Sequence, residues 1–282
     1  MELLEILKAV LYGIIEGITE WLPISSTGHM ILFKQWVPLD VSPEFYKMFE
    51  VVIQFGAIMA VVILFWNKLW PFCKKSTLGK AGSGIAWKEG ALAMWLKIIV
   101  ACIPAAVIGL AFDDKIDELF YHPIPVSIAL IVVGIVFIIV ESTRGKQRPV
   151  ITSIGEITYK TAILIGLFQL IAAIFPGTSR SGATIVGALM IGVSRATAAE
   201  FTFFLAVPVM AGASLLKILK YVAAGVTITG AELVVLLIGT LVAFLVSVFV
   251  IKFLMEYIKK HDFKVFGWYR IVLGIIVILI LR

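Results

Sequence analysis

Six stretches of this chain carry no Asp, Glu, Lys or Arg: Val51–Asn67, Ile98–Phe112, Leu119–Val140, Thr161–Ser179, Phe201–Leu216 and Leu233–Ile251. A helix that crosses a bilayer needs about 20 apolar residues and seldom fewer than about 17. Some of these runs reach that length and others fall at or below it, so a mixture of full and partial crossings is expected. Composition points the same way: the 282 residues are 61% hydrophobic and 15% charged, against roughly 25% charged in soluble domains. The expectation is an all-α polytopic membrane protein, one integral domain over residues 1–282. The first apolar stretch, Val10–Ile15, runs into Glu16 and Glu20 without a small-residue cleavage site, so no cleavable signal peptide is expected.

The net charge of +6 is not a nucleic-acid footprint, because the cations sit in short loops between apolar runs, where they act as orientation signals. Cys73 and Cys102 make neither a disulfide framework nor a metal motif. Lys68, Lys74, Lys75, Lys80 and Lys88 place Asn67–Gly90 in the cytoplasm. Arg144, Lys146, Arg148 and Lys160 do the same for Glu141–Lys160, and Lys252, Lys259, Lys260 and Lys264 for Lys252–Lys264. Phe112–His122, with Asp113, Asp114, Asp117 and Glu118 against Lys115 alone, reads as outside, as does Pro38–Glu50. Threading about six full transmembrane helices through these loops puts both termini outside. Lys217 and Lys220 then fall on the face where cations are not expected.

Two segments remain, Leu3–Trp36 and Thr161–Ala199. Each must enter and leave on one face, and each has a cluster of Pro, Gly and Ser at its middle. Irregular backbone at membrane depth is tolerated only inside protein or along a wet cavity. Both are therefore read as re-entrant, broken helical hairpins. The halves also align: "GIIEGITEWLPISS" from Gly13 with "GLFQLIAAIFPGTS" from Gly166, "EVVIQFGAIMA" from Glu50 with "EFTFFLAVPVM" from Glu200, and "LIVVGIVFII" from Leu130 with "RIVLGIIVIL" from Arg270. Their predicted orientations are opposite. The reading is an inverted-topology repeat, residues 1–141 and 155–282, with the broken elements meeting near the midplane.

The breaks carry the chemistry. Glu16 and Glu20 lie four apart on one helix face, where two carboxylates repel and burial is costly. A divalent cation, a shared proton or a basic partner must neutralise them, unless they are interfacial acids reaching water. Ser25, Ser26 and Thr27 supply hydroxyls, and His29 can move a proton or attack phosphorus, or else is satisfied by a backbone carbonyl. In the second break, "PGTSRSGATIVG", Thr178, Ser179, Ser181 and Thr184 offer hydroxyls and Arg180 offers a planar fork of donors. With a helix N-terminus behind them these describe a phosphate cradle. Alternatively Arg180 pairs with Glu16 or Glu20, which would link the two halves. Gly177–Thr184 approaches a nucleotide-binding P-loop, but Ala183 stands where that motif needs lysine. Glu50 and Glu200, with Gln54 a turn beyond Glu50, read as helix-start acids, and Arg195 as a cytoplasmic marker. Trp21, Trp36, Trp66, Trp70, Trp268 and Tyr269 read as interfacial aromatics.

Acids, a base and hydroxyls at one break and an anion cradle at the other imply a substrate with a phosphorylated head and a hydrocarbon tail. Physics alone leaves hydrolysis and transport open, with a scaffold as a third class; an acid–base pair of Glu20 and His29 is what transport would not need. The motifs go further. "EGITEWLPISSTGH" and "PGTSRSGAT", with "FEVVIQFGAIMAVVILFW" from Phe49 and "GVSRATAAEFTFFLAVPVM" from Gly192, resemble the undecaprenyl-diphosphate phosphatase family of bacterial envelope synthesis, linked to bacitracin resistance. The resemblance covers essentially the whole chain. It implies a bacterial plasma-membrane enzyme that removes the terminal phosphate of a C55 isoprenyl diphosphate, recycling the carrier lipid for cell-wall synthesis. It implies a divalent cation, Mg²⁺ or Ca²⁺, and a site on the outer face. By motif position, Glu16 and Glu20 would hold the metal or orient the base, and Ser26 and His29 would be the reactive pair. Arg180, with Ser179, Ser181 and Thr184, would grip the diphosphate, and Ser25, Thr27 and Thr178 would line its site. Whether Ser26, His29 or a metal-bound water attacks stays open, with Ser26 and His29 as base preferred. The partners are the polyprenyl diphosphate and membrane lipids, with no nucleic acid; the oligomeric state is open, a homodimer included.

Overall fold

The structure, a computed structural model, describes residues 3–74, 85–144 and 147–281. Lys75, Lys80 and Lys146, read above as cytoplasmic markers, lie outside these residues. The first half holds α1 (Leu3–Thr19), α2 (Ser26–Trp36), α3 (Pro43–Leu64), the single turn α4 (Trp66–Leu69), α5 (Glu89–Phe120) and α6 (Pro123–Thr143). The second holds α7 (Tyr159–Ile174), α8 (Arg180–Met190), α9 (Arg195–Ala223), α10 (Gly230–Tyr257) and α11 (Lys264–Ile280). Among the described residues the only sheet pairs β1 (Phe72–Lys74) antiparallel with β2 (Ile85–Trp87), Phe72 opposite Trp87.

The helices start where the local chemistry demands. Ser42 accepts a hydrogen bond from Phe45 N–H and Ser194 from Thr197 N–H, each capping a helix whose first turn otherwise leaves its donors unpaired. Thr229 and Glu232 form a reciprocal capping box on α10. Glu232 also accepts from Ser42 Oγ at 2.9 Å, which ties the start of α10 to the start of α3.

Five helices, α3, α5, α6, α9 and α10, are long and apolar enough to cross a membrane. The sixth expected crossing, α11, has 17 residues, at the short limit for a span. Two regions expected as outer loops are helical instead: α3 begins at Pro43 and α5 continues to Phe120. The acids of Phe112–His122 therefore lie on the last turns of α5, and they resolve the anomaly of Lys217 and Lys220. Lys217 Nζ lies 3.0 Å from Asp113 and 3.0 Å from Asp117, and Lys220 Nζ 2.9 Å from Asp113 and 2.7 Å from Asp114. Cations neutralised within this network no longer count as free positive charge at that end.

Packing couples the halves throughout. α6 packs along α11, α1 along α10, α5 along α7, and α3 along both α9 and α10. The α6–α11 seam closes on two glycines: a Cβ on Gly134 would sit 2.7 Å from the Gly267 carbonyl oxygen, and one on Gly267 2.8 Å from that of Gly134. Small residues let helix backbones approach in this way where lipid offers no hydrophobic drive. Gly134→Val is expected to cost about 1–3 kcal/mol through overpacking, seen as a lower unfolding temperature in detergent. Gly212→Ala, where a Cβ meets nothing within 4 Å, should leave that temperature unchanged or raise it.

Candidate active site

Both breaks are built alike. In the first, α1 ends at Thr19, the chain turns through Pro23, and Ser25 adopts φ 73° before α2 begins. In the second, α7 ends at Ile174, Gly177 adopts φ 92°, and Ser179 φ 67° before α8 begins. Ser25 and Ser179 are the only non-glycine residues with positive φ among those described. Such backbone costs about 1–3 kcal/mol and persists only where its surroundings enforce it. Each of the two serines caps the helix it starts, accepting from Gly28 N–H at 3.4 Å and Gly182 N–H at 3.2 Å. The ungapped alignment matched Ser26 with Ser179; in the structure the counterpart of Ser179 is Ser25, each being the left-handed cap of the 11-residue helix that follows it.

An ion pair joins the breaks. Arg180 Nη2 donates to Glu20 Oε1 at 2.8 Å, and Arg180 Nη1 donates to the Thr202 carbonyl at 2.9 Å. Ser26 Oγ donates to the other Glu20 oxygen at 2.9 Å, and Ser181 Oγ donates to the Glu20 backbone carbonyl at 3.0 Å. Glu20 is thus the hub, with a cation on one oxygen and a hydroxyl on the other. Beneath Arg180, at 5.9 Å, lies the Trp21 ring. Trp21 is fully buried, so it is no interfacial aromatic: it follows Glu20 into the interior, where its face meets the guanidinium.

Ser26 is therefore paired with Glu20 rather than with His29. His29 Nδ1 lies 2.7 Å from the Ser25 carbonyl, and Nε2 lies 2.7 Å from the Tyr269 hydroxyl, whose ring stacks nearly parallel to the imidazole. Tyr269 was expected as a belt residue; it is half exposed, but its hydroxyl belongs to the site.

The remaining hydroxyls divide. Ser26 and Thr27 line a cavity of about 840 Å³, together with Glu16, Lys34, Glu50 and Gln54. Thr178, Ser181 and Thr184 are buried. Thr184 donates to backbone carbonyls of its own helix and accepts from Thr202 at 2.9 Å; Ser179 caps α8 and lies 3.2 Å from Ser181 Oγ. These groups shape the cradle from behind. Glu50, expected as a plain helix-start acid, accepts from the Tyr121 hydroxyl at 2.9 Å.

For a metal, the telling group is Glu16. It is fully buried, and among the described residues neither carboxylate oxygen has a partner. Unsatisfied carboxylate oxygens beside a cavity fit a hard cation. Among the described residues no three His, Cys, Asp or Glu side chains form a closed ligand set. Mg²⁺, which keeps water and substrate phosphates as ligands, needs only one or two carboxylates, so the donors present fit it.

Arg270 was missed as a site residue. Fully buried, it donates to the carbonyls of Gly177 at 2.8 Å, Thr178 at 2.6 Å and Pro23 at 3.3 Å. One guanidinium so binds both turns. The signal was present: a lone arginine inside an apolar helix marks function by default.

Known proteins resemble this chain over nearly all of its length. The family model described as bacitracin resistance protein BacA matches residues 9–276. An undecaprenyl-diphosphatase of Desulfitobacterium hafniense is 60% identical over 279 residues, covering 99% of this chain and 97% of that protein. Undecaprenyl-diphosphatase 1 of Clostridium acetobutylicum is 60% identical over 97% of this chain and 96% of its own. An undecaprenyl-diphosphatase of Enterococcus faecalis is 56% identical over 99% and 98%. With five helices long and apolar enough to span and a family match over residues 9–276, this multi-pass membrane protein belongs to the BacA bacitracin-resistance family.

Proposed function

We propose that the chain is a membrane phosphatase that hydrolyses undecaprenyl diphosphate to undecaprenyl phosphate and inorganic phosphate, returning the carrier lipid to cell-wall synthesis. The observation that carries the mechanism is the Arg180–Glu20–Ser26 linkage. A carboxylate within 2.9 Å of a hydroxyl is in reach to take its proton, and a neighbouring arginine grips phosphate oxygens. The incoming diphosphate competes with Glu20 for Arg180, and Glu20 keeps its hydrogen bond from Ser26 Oγ. Ser26 Oγ attacks the terminal phosphorus as its proton passes to Glu20. The bond from that phosphorus to the bridging oxygen breaks, and the electron pair leaves on undecaprenyl phosphate, which takes up the proton. Water then attacks the phosphoserine, giving its proton to Glu20, which passes it to Ser26 Oγ as inorganic phosphate leaves. His29, with both ring nitrogens engaged, holds the first turn. Positioning and electrostatics supply most of what phosphoryl transfer needs.

Glu16, with Glu20 beside it, would hold a Mg²⁺ or Ca²⁺ that offsets the charge of the diphosphate. Chelation is expected to abolish phosphate release, and added Mg²⁺ or Ca²⁺ to restore it in the native protein but not in Glu16→Ala.

The reading includes an inverted repeat with two re-entrant hairpins. Its support is that α2 and α8 have 11 residues each, about 16 Å of helix and half a bilayer core of about 30 Å. The matching left-handed caps and reciprocal packing, α1 on α10 and α7 on α5, support it too. Asp113, Asp117, Lys217 and Lys220 line the cavity, at the end read from the loop charges as outside, which supports a site on the outer face. The deciding experiment is phosphate release from a C55 or C15 isoprenyl diphosphate by purified protein in detergent. Release well above a Ser26→Ala control is expected; equal rates would remove Ser26 as nucleophile, and no release by the native protein would refute the enzyme.

A further inference from the structure

We propose that Tyr269 is a positioning residue for the reaction, fixing the orientation of His29 so that the strained Ser25 turn presents Ser26 to Glu20. The inference rests on the phosphoryl-transfer reading above and deepens it.

The two breaks share a left-handed serine, yet they are held differently. At the second, Arg270 binds the Gly177 and Thr178 carbonyls directly. At the first, Arg270 reaches only the Pro23 carbonyl, at 3.3 Å, and the carbonyl of Ser25 itself is held by His29 Nδ1 at 2.7 Å. The residue in the corresponding place after Ser179 is Ala183, whose backbone N–H donates to the Ser179 carbonyl at 2.9 Å, so the second turn uses no side chain there. A carbonyl oxygen can only accept, so the proton of His29 sits on Nδ1. In the neutral ring Nε2 then carries a lone pair, and the Tyr269 hydroxyl, 2.7 Å away, donates to it. If His29 is protonated, Nε2 donates and the same hydroxyl accepts. Tyr269 satisfies the ring in either charge state, and stacking at 5.6 Å and 11° sets its plane. Without the hydroxyl Nε2 loses its partner and only stacking sets the ring, so the imidazole is free to turn away from the Ser25 carbonyl. The clasp on a φ of 73° is then lost next to the nucleophile. Tyr269 and Arg270 are consecutive residues of α11, so one helix holds one turn directly and the other through an imidazole.

Tyr269→Phe removes the hydroxyl and keeps the ring. Three measurements test it in detergent: ring-nitrogen NMR of ¹⁵N-histidine protein, with the His29 signal assigned by its loss in His29→Gln; kcat and KM on an isoprenyl diphosphate; and the unfolding temperature. The native protein is expected to show His29 protonated on Nδ1, and Tyr269→Phe a weakened Nδ1–H hydrogen bond, read as a shifted Nδ1 signal, beside the shift of Nε2. kcat should fall about tenfold, the worth of one well-placed hydrogen bond, with KM and unfolding temperature little changed. An unchanged Nδ1 signal would overturn the positioning inference whatever the rate does. Altered ring nitrogens with an unaltered kcat would show that the His29 clasp does not serve the reaction, and would overturn it too. A raised KM at constant kcat would overturn it by making Tyr269 a substrate contact instead. Failure of the phosphatase reading is distinct, since the native protein would then release no phosphate.

Discussion

Arg180→Ala should lower kcat/KM by roughly 10³-fold or more, the scale on which a charge-stabilising arginine contributes to phosphoryl transfer. The loss has two parts that different replacements separate. Alanine removes the grip on the phosphate, and it also strips Glu20 of its cation. The Arg180 and Glu20 side chains are only 12% and 9% exposed, and breaking a buried pair by removing one partner costs about 3–5 kcal/mol. Arg180→Ala should therefore be both inactive and less stable. The double variant Arg180→Met/Glu20→Gln leaves no orphaned charge, and it should regain most of the unfolding temperature while staying inactive. Unfolding followed beside phosphate release reads the two effects independently. If the double variant were as unstable as the single, the ion pair would not be what Arg180 contributes to the fold. If Arg180→Ala kept near-native kcat/KM, Arg180 would not be the phosphate ligand. Arg180→Lys keeps the charge but loses the fork that serves Glu20 and the Thr202 carbonyl together, so it should restore stability better than rate.

That the two breaks meet is legible in the amino-acid sequence. Irregular, hydroxyl-rich backbone cannot face lipid, so Pro23 and Pro176 have to find protein or water. Two acids at one break and an arginine at the other leave few ways to balance charge. The detail within the pair is not legible. Spacing makes Ser26 and His29 look like partners, since both follow Pro23 closely, yet local sequence does not say which face of a half-helix turns to the cavity. Ser26 begins α2 and bonds Glu20, whereas His29, nearly one turn on, bonds Tyr269 of α11. The belt reading failed for Trp21, and for Tyr269 it missed the hydroxyl's partner, for a related reason: an aromatic near a helix end has the same local pattern whether it meets headgroups or a polar side chain. Each has its partner in the other half of the chain, Trp21 at Arg180 and Tyr269 at His29. Phe112–His122 was read as a loop from its charges. Those charges are compensated from α9, and helix α5 continues through them to Phe120.

Arg270→Met is expected to be the most damaging single change in the protein. Three buried carbonyls lose their donor at once: Gly177, Thr178 and Pro23. A buried polar group left unsatisfied costs about 1–3 kcal/mol, so the sum is several kcal/mol even if one carbonyl recruits water. The damage also falls where it matters most, because the Gly177–Ser179 turn carries Arg180 and the Pro23–Ser25 turn carries Ser26. Methionine roughly fills the arginine's volume, so the effect is not that of a cavity. Arg270→Lys keeps a donor-rich charge but cannot reach across to two turns as a planar fork does, and should recover part of the stability and little of the rate. The enclosure allows no bulk in exchange: a Cβ on Gly182 would lie 2.8 Å from Arg270 Nη1, so Gly182→Ala should mimic the arginine loss in weaker form. The measurements are unfolding temperature and phosphate release for all three variants, with Arg270→Met expected below both Arg270→Lys and Gly182→Ala in each. A fully stable, active Arg270→Met would mean that the turns keep their shape without the clamp, and that the convergence of α2 and α8 is set by helix packing alone.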